Sequence, residues 1–513
     1  MSTPPIAQSL DPRRWRALAF IALAQLMVVL DGTIVNIALP SAQRDLGISD
    51  ANRQWVVTAY ALAFGGLLLF GGRIADRWGR RRAFIIGLIG FAGSSALGGA
   101  AANTGMLLIA RSLQGAFGAI LAPAALSLLT VMFTQPKERA KAFGIYGAIS
   151  GGGAAIGLIL GGVLTEYANW RWTLYVNVLF AVIAVAGAVF EIKEPVGSRN
   201  HNRLDIPGII LAGTGLASLV YGFNKAETDG WASATTLGFI IGALVLLAAF
   251  ALVQSRTKAP LLPLRVVTDR NRGGAYLTIG LAVVGMFGAL LFMTYYLQDV
   301  LGYSPVKSGL GFLPMVAGMM IGATQVAVRL LPKVRARYLM GPGALIAMCS
   351  MLILTQISVG GSYATHVLPA LFLLGFGMGL VIMPAMNVAT HGVKPQDAGV
   401  ASAMVSTSQQ VGGAIGTALL STIANSATAH YATAHAAGVS SPAGLAQLEK
   451  LSMVHGFSTA YWVAAGMLAL AAIVAATLIN AAPLRGHGPS AGSSERPGSP
   501  TDAAQDDVPV LAH

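Results

Sequence analysis

Apolar residues run along the chain in long stretches, and polar segments, many of them basic, separate these stretches. A helix needs about 20 apolar residues to cross the hydrocarbon core of a bilayer. The stretches are too long and continuous for the strands of a membrane barrel, so the pattern predicts an all-α, polytopic membrane protein. We predict fourteen spans, at about 16–40, 54–74, 83–102, 105–133, 142–165, 172–191, 206–224, 234–253, 274–298, 307–330, 339–358, 366–390, 399–424 and 456–481.

Internal similarity divides these spans into two halves of six. The fifth span reads GGAAIG from Gly152, and the fifth of the last six reads GGAIG from Gly412. Paired six-helix halves place a substrate site between them near the middle of the membrane. The predicted division is a cytoplasmic N-terminus (1–15), an N-terminal half (16–192), a linker with two extra spans (193–272), a C-terminal half (273–483) and a disordered cytoplasmic tail (484–513).

Composition and charge placement support this assignment. The chain of 513 residues is 55% hydrophobic and 10% charged, whereas soluble domains have about 25% charged residues. The net charge of +13 raises the question of a nucleic-acid partner. If the N-terminus is cytoplasmic, however, about 26 of the 33 lysines and arginines fall on that side, which is the positive-inside distribution. We therefore expect no nucleic-acid partner and expect both termini in the cytoplasm.

Two ionisable residues lie deep inside predicted spans. A helical rise of about 1.5 Å per residue places Asp31 about 13 Å below Pro40, and Arg111 about 12 Å below Asn103. The two are at similar depth, and a buried charge needs a partner, so we predict that they pair. Burial favours the protonated carboxyl while the arginine favours the carboxylate. The pair therefore suits proton coupling, and the alternative is an ion pair that only fixes packing.

Three motifs surround these residues. Positions 30–40 read LDGTIVNIALP, positions 72–82 read GRIADRWGRRR, and positions 111–118 read RSLQGAFG. Together with GYSP at 302–305 and QQVGG at 409–413, they resemble the fourteen-helix drug:proton antiporter family of the major facilitator superfamily, of the quaternary-ammonium and multidrug exporter type. The resemblance covers roughly residues 14–483. One departure is Leu158, where the family usually has proline, so we expect less kinking of the fifth span.

The resemblance implies roles for particular residues. Proton coupling falls to Asp31 and Arg111. A conformational motif consists of Gly72, Asp76, Arg77, Gly79, Arg80, Gln114, Gly115, Gly153, Gly157, Gly161 and Gly162. The residue types themselves suggest the binding cavity, because aromatic faces stabilise a lipophilic cation and amides orient it. We expect the substrate-binding residues to be Asp31, Asn36, Tyr60, Phe64, Phe292, Tyr295, Gln298, Asn387, Gln409 and Gln410.

These features imply a proton-coupled secondary transporter in the bacterial cytoplasmic membrane that exports lipophilic, cationic drugs or toxic compounds by alternating access. The alternatives are an exporter of an endogenous antibiotic, siderophore, lipid or peptide, and a solute uptake carrier of the same fold. We expect no cofactor beyond the proton gradient, no metal and a monomer. An enzyme would need clustered acidic and histidine residues at one membrane face. The acidic pair Glu227 and Asp229 has no histidine in its loop, so we expect no enzyme.

Overall fold

The computed structural model describes residues 13–133, 136–192, 205–257, 260–390, 393, 398–436 and 441–481. The first twelve residues and the predicted disordered tail at 484–513 lie outside the described residues. The α-helices are α1 (Arg14–Leu46), α2 (Asp50–Arg53), α3 (Trp55–Trp78), α4 (Arg80–Gly99), α5 (Thr104–Met132), α6 (Pro136–Tyr167), α7 (Trp172–Glu191), α8 (Ile206–Asp229), α9 (Ala234–Arg256), α10 (Leu264–Val267), α11 (Arg270–Tyr295), α12 (Pro305–Gly311), α13 (Leu313–Met320), α14 (Val328–Leu330), α15 (Arg337–Leu354), α16 (Leu368–Thr390), α17 (Ala398–His435) and α18 (Pro442–Leu478). Three π-helical turns continue or precede these helices, at Tyr296–Val300, Ile321–Ala327 and Tyr363–Val367.

The predicted all-helical membrane architecture is confirmed. Each of the fourteen predicted spans falls on helical segments. Within the described residues, eleven helices are long and apolar enough to cross a membrane by length and composition. Fourteen crossings therefore stay a prediction.

The helices α17 and α18 are longer than the spans predicted for them. They contain 38 and 37 residues, which correspond to about 57 and 56 Å at 1.5 Å per residue, well beyond a hydrocarbon core of about 30 Å. Much of the segment between the last two predicted spans is consequently helix, since α17 continues to His435 and α18 begins at Pro442. The Ser441 hydroxyl caps α18 by accepting from the Gly444 N–H at 3.1 Å.

Two groups of helices form the two halves. In the N-terminal half, α1 packs against α6 and α7, and α5 packs against α3 and α4. In the C-terminal half, α11 packs against α17 and α18, and α15 packs against α16 and α18. Small, aliphatic and aromatic side chains fill both groups, and the small ones let helices pack closely in lipid.

The two extra helices form a hairpin at the side of the bundle. Helix α8 packs against α9 and also reaches α3 and α17, where the two halves meet. Helix α9 presents apolar side chains outward, among them Ile241, Leu244 and Val245. The base of the hairpin is held by Asp205, which caps α8 and accepts hydrogen bonds from Gln254 at 2.5 Å and the Leu261 N–H at 3.2 Å. The insertion is thus fixed to the seam between the halves.

Polar contacts between the halves gather at the end of the bundle that contains the α1–α3 turn, which is the predicted outer end. Gln298 donates to the Ile37 carbonyl at 3.0 Å, Tyr295 to Gln43 at 2.5 Å, and Arg53 to Asn425 at 3.3 Å. The backbone N–H of Val306 donates to Glu166 at 3.0 Å.

Apolar packing follows the same division. At this end, Ile34, Val56 and Leu158 of the N-terminal half belong to one continuous core with residues of the C-terminal half. At the opposite end the N-terminal half has a core of its own, and Ala403 of the C-terminal half packs against it. This conformation is therefore closed at the predicted outer end.

Candidate functional site

The site is built around Asp31, in the middle of α1. Its side chain is 0% exposed, and Arg111 of α5 is 1% exposed. The guanidinium NH1 of Arg111 donates to Asp31 Oδ2 at 2.6 Å. The pairing that the sequence predicts is thus confirmed, and both charges are removed from solvent in this conformation.

Two amides complete the surroundings of the carboxylate. Gln114 Nε2 donates to Asp31 Oδ1 at 2.9 Å, and Asn177 Nδ2 of α7 donates to the same oxygen at 2.7 Å. Gln114 also accepts from Arg111 at 2.9 Å and contacts the Ser95 hydroxyl at 2.7 Å. Asp31 therefore accepts hydrogen bonds from three side chains on two helices. Asn177 and Ser95 are not among the predicted site residues.

Arg111 also connects the carboxylate to α3. Its Nε donates to the Val56 carbonyl at 3.0 Å, and its guanidinium lies 4.5 Å from the centroid of the Tyr60 ring. A small cavity of about 10 Å³ borders Arg111, and Val56 of α3, Thr173 and Leu174 of α7 and the outer half of α1 contribute to its lining. That volume corresponds to about one water molecule. A change in the charge of Asp31 would therefore act on α3 through Arg111.

The basic motif at 72–82 spans the turn between α3 and α4. Gly79 has φ 100°, a region that favours glycine because it has no Cβ. Arg81 donates to the Ala188 and Val189 carbonyls at 3.3 and 2.6 Å and so caps α7. Of the predicted motif residues, Arg77 is exposed and Gly72 and Arg80 are half-buried, while the Asp76 side chain lies outside the described residues. The role of Asp76 in the conformational motif stays a prediction.

Predicted glycines allow close approach of neighbouring helices. Gly115 of α5 lies directly against the Tyr60 carbonyl of α3. Gly153, Gly157 and Gly161 form one face of α6 that packs on α1 over Leu26 to Ile34, and Gly162 lies against Pro305 and Val306 of the C-terminal half. Helix α6 continues through Leu158 from Pro136 to Tyr167, and the expected reduction in kinking stays a prediction.

Three predicted substrate-binding residues lie where α1 meets α11. Gln298 sits in the π-helical turn at Tyr296–Val300 and donates to Ile37. Pro40 lies inside α1 and has no N–H, so one backbone hydrogen bond of the helix is missing there. The missing bond is next to the Ile37 carbonyl that accepts from Gln298. Tyr295 bonds Gln43, and Asn36 donates to the Gly32 carbonyl at 3.2 Å within its own helix. In this conformation Gln298 and Tyr295 hold the halves together.

The other predicted substrate-binding residues are dispersed. Tyr60 and Phe64 are buried on α3, with ring centroids 5.7 Å apart. Phe292 is 0% exposed and stacks on Phe457 inside the C-terminal half, with centroids 5.2 Å apart.

Three predicted amides lie on the helices α16 and α17. Asn387 is half-buried and bonds the Met383 carbonyl of its own helix at 3.0 Å. Gln410 lies where α17 meets α3, because a methyl group placed on Gly65 of α3 would come 2.8 Å from the Gln410 Cβ. Gln409, the preceding residue, is half-buried. The described residues contain no cluster of histidine, cysteine or acidic side chains fit to hold a metal.

Comparison with known proteins agrees with this architecture. A family model described as Major Facilitator Superfamily matches residues 21–417. The puromycin resistance protein of Streptomyces alboniger is 51% identical over 475 residues, which cover 92% of this chain and 93% of that protein. A cephamycin export protein of Amycolatopsis lactamdurans is 39% identical, covering 80% and 85%. The tetracenomycin C resistance and export protein of Streptomyces glaucescens is 34% identical, covering 81% and 76%.

Solved structures show the same fold at lower identity. A bacterial homologue of the human lysosomal transporter Spinster, crystallised in an inward-facing and occupied conformation, has a TM-score of 0.62 and 17% identity. The two chains are covered to 91% and 97%. The human organic anion transporter MFSD10 has a TM-score of 0.58 and 14% identity, covering 91% and 100%. The predicted fold class is confirmed.

Proposed function

The chain belongs to the major facilitator superfamily, and from this premise we propose that it exports lipophilic drugs or antibiotics in exchange for protons bound at Asp31. It is a multi-pass membrane transporter and not an enzyme. Similarity to antibiotic resistance and export proteins supports export as the direction of transport. Puromycin is the first substrate to test, because the relative with 51% identity is a puromycin resistance protein.

The buried Asp31–Arg111 pair carries the proposal of proton coupling. The pair is fully buried, and the other hydrogen bonds to the Asp31 carboxylate come from the neutral amides of Gln114 and Asn177. Protonation of Asp31 would remove the negative charge that Arg111 neutralises and leave the guanidinium without a counter-charge. Because an unpaired buried charge costs about 3–5 kcal/mol, protonation strongly favours a rearrangement.

That rearrangement has a direct route to the seam between the halves. Arg111 holds α3 at Val56 and Tyr60, and α3 packs against α17 of the other half. A proton on Asp31 thus shifts α3 and favours opening at the outer end. This end faces outward because we place both termini in the cytoplasm. Since Asp31 is enclosed here, we favour competition between proton and substrate through conformation over direct contact of a cationic substrate with the carboxylate.

Opening at the outer end requires the contacts between the halves to separate. We propose that Arg53, Tyr295 and Gln298 form the outer gate, since Arg53 lies 4.2 Å from the centroid of the Tyr295 ring and bonds Asn425. The predicted substrate-binding residues on α3, α11 and α17 would then line the space between the halves. Gln298 and Gln410 are placed for this role because they lie at the interface in the closed state.

The experiment measures efflux of puromycin and of a fluorescent lipophilic cation from energised cells. Wild type, Asp31→Asn and Asp45→Asn are compared with and without a protonophore. Asp45 is the matched control, since it lies on the same helix and pairs with Arg171 but is 48% exposed. We expect protonophore-sensitive efflux by wild type and Asp45→Asn and none by Asp31→Asn. Full protonophore-sensitive efflux by Asp31→Asn would refute coupling at this residue.

A further inference from the structure

A groove runs between α15 and α18 at the end of the bundle where α15 begins and α18 ends. Its volume is about 320 Å³, within the range of sites that hold small ligands. The lining residues on α15 are Arg337, Tyr338, Gly341, Pro342 and Leu345, and those on α18 are Ala472 and Ala476. None of them belongs to the transport site.

Small residues on both helices leave this groove unfilled. The nearest atom to a methyl group placed on Gly341 would be the Ala472 carbonyl oxygen, at 4.0 Å. Two alanines on the facing helix leave the opposite wall shallow. Tyr338 and Leu345 are 58% and 46% exposed, so the groove lies on the outside of the bundle, where lipid surrounds a membrane protein.

Arg337 places a positive charge at the mouth of the groove. Its NH2 donates to the Tyr338 hydroxyl at 3.0 Å, and its guanidinium lies 4.9 Å from the centroid of the same ring. Its Nε is buried and has no hydrogen-bond partner among the described residues. No carboxylate contacts Arg337 in the described part of the chain, and its charge is therefore available to an anion.

The surrounding segments strengthen this field. Residues 264–272 and 328–338 contain seven basic side chains and one acidic one, Asp269. Asp269 is already paired with Arg272 at 3.5 Å. Arg335 and Arg270 bond neutral partners, the Asn480 side chain at 2.9 Å and the Thr477 carbonyl at 2.7 Å.

We propose that this groove binds an anionic phospholipid, with an acyl chain against Gly341, Leu345 and Ala472 and the headgroup phosphate on Arg337. The apolar walls suit a hydrocarbon chain, and the basic mouth suits a phosphate. Basic pockets between membrane helices favour anionic headgroups in this way. Arginine is well matched to a phosphate because its planar fork donates two parallel hydrogen bonds.

The experiment titrates the purified full chain with phosphatidylglycerol and, separately, with phosphatidylcholine, and measures bound lipid by native mass spectrometry. Wild type should bind phosphatidylglycerol in preference. Arg337→Gln should weaken that binding about fivefold, the factor for the loss of one basic contact at a membrane surface. Arg337→Lys should retain most of it. Gly341→Leu should fill the groove and remove one bound phosphatidylglycerol per chain.

Arg329→Gln is the matched control, since Arg329 is exposed at the same end and does not line the groove. It should bind phosphatidylglycerol as wild type does. Equal binding of the two lipids by wild type would overturn the proposal, because the groove would then recognise only hydrocarbon. Equal losses in Arg337→Gln and Arg329→Gln would also overturn it, because binding would follow the net charge. The Lys and Gln variants at position 337 keep the test decisive if Gly341→Leu fails to fold.

Discussion

Removing one charge of the Asp31–Arg111 pair should destabilise the protein strongly. The two side chains are 2.6 Å apart and at most 1% exposed, so a single substitution leaves the other charge buried without its counter-charge. Breaking a buried pair from one side costs about 3–5 kcal/mol. We expect Asp31→Asn and Arg111→Met each to lower the free energy of unfolding by about this amount. The amide and thioether keep most of the side-chain volume, so little of the loss comes from a cavity.

Removing both charges should cost less than the sum of the two single losses. The double variant leaves no uncompensated charge, and pairs in direct contact show coupling free energies of about 0.5–3 kcal/mol. We expect a coupling at the upper end of this range, because solvent screening is absent at the site. The surface pair Asp45–Arg171 is the matched control. Its members are 48% and 30% exposed, and an exposed pair contributes about 0–1 kcal/mol.

The assay is unfolding of purified protein in mixed micelles by titration with sodium dodecyl sulfate, followed by tryptophan fluorescence. All four members of each cycle are measured under the same conditions. Two results would refute the view that these charges depend on each other. One is a double variant whose loss equals the sum of the two single losses. The other is single variants whose free energies of unfolding lie within about 0.5 kcal/mol of the wild-type value. A coupling free energy in the Asp31–Arg111 cycle equal to that of the Asp45–Arg171 pair would refute the same view.

Three further predictions follow from the geometry around the site. Asn177→Ala should lower the free energy of unfolding by about 1.5–3 kcal/mol, because it removes a hydrogen bond to a charged carboxylate, and a loss below 0.5 kcal/mol in the same titration would contradict this. Arg53→Gln should increase the population open at the outer end about 5–30-fold, because it removes a cation–π contact that contributes about 1–2 kcal/mol when desolvated. Distances between spin labels on the outer ends of the two halves measure this population. Unchanged distances would count against a gate there. Gly79→Ala should cost about 1–3 kcal/mol through strain at positive φ, whereas Gly93→Ala, in open space on α4, should be neutral or stabilising.

The ion pair could be predicted from sequence because depth in a membrane is nearly one-dimensional. Each helix crosses the bilayer, and the distance along it fixes the depth of a residue. The membrane also removes most alternative partners, since few charges lie inside it. Asp31 was therefore matched to Arg111 by depth alone, and the structure places the two in contact.

Of the two amides around the pair, Gln114 was predicted as a motif residue, whereas Asn177 was missed because an amide carries no charge. A buried polar residue inside an apolar run is itself a signal, because it needs a hydrogen-bond partner. Combining that signal with depth would have placed Asn177 near Asp31, whose Oδ1 it reaches at 2.7 Å.

The face of a helix was harder to predict than its depth. Phe292 was expected at the substrate cavity, yet it stacks on Phe457 within the C-terminal half. Helix α11 is buried around most of its circumference, so periodicity cannot separate the cavity face from the core face. The π-helical turn at Tyr296–Val300 then shifts the register just where Gln298 reaches α1, and helical spacing does not reveal such turns.

Helix ends were also underestimated outside the hydrocarbon. Hydropathy marks the part of a helix that lies in lipid, and it is silent on how far the helix continues into water. The alanine-rich segment after Ala424 has strong helix propensity, and α17 accordingly continues to His435. The overall architecture was predictable because the bilayer imposes it, whereas the extensions depend on local propensity and packing.

The most direct test of the account measures proton movement itself. Purified protein is reconstituted into liposomes that contain a pH-sensitive dye, and a puromycin gradient is imposed without a pH gradient. Wild type should move protons against the direction of puromycin, and Asp31→Asn should move none while still exchanging labelled for unlabelled puromycin. Proton movement by Asp31→Asn at the wild-type rate would contradict the claim that this carboxylate couples the proton to transport.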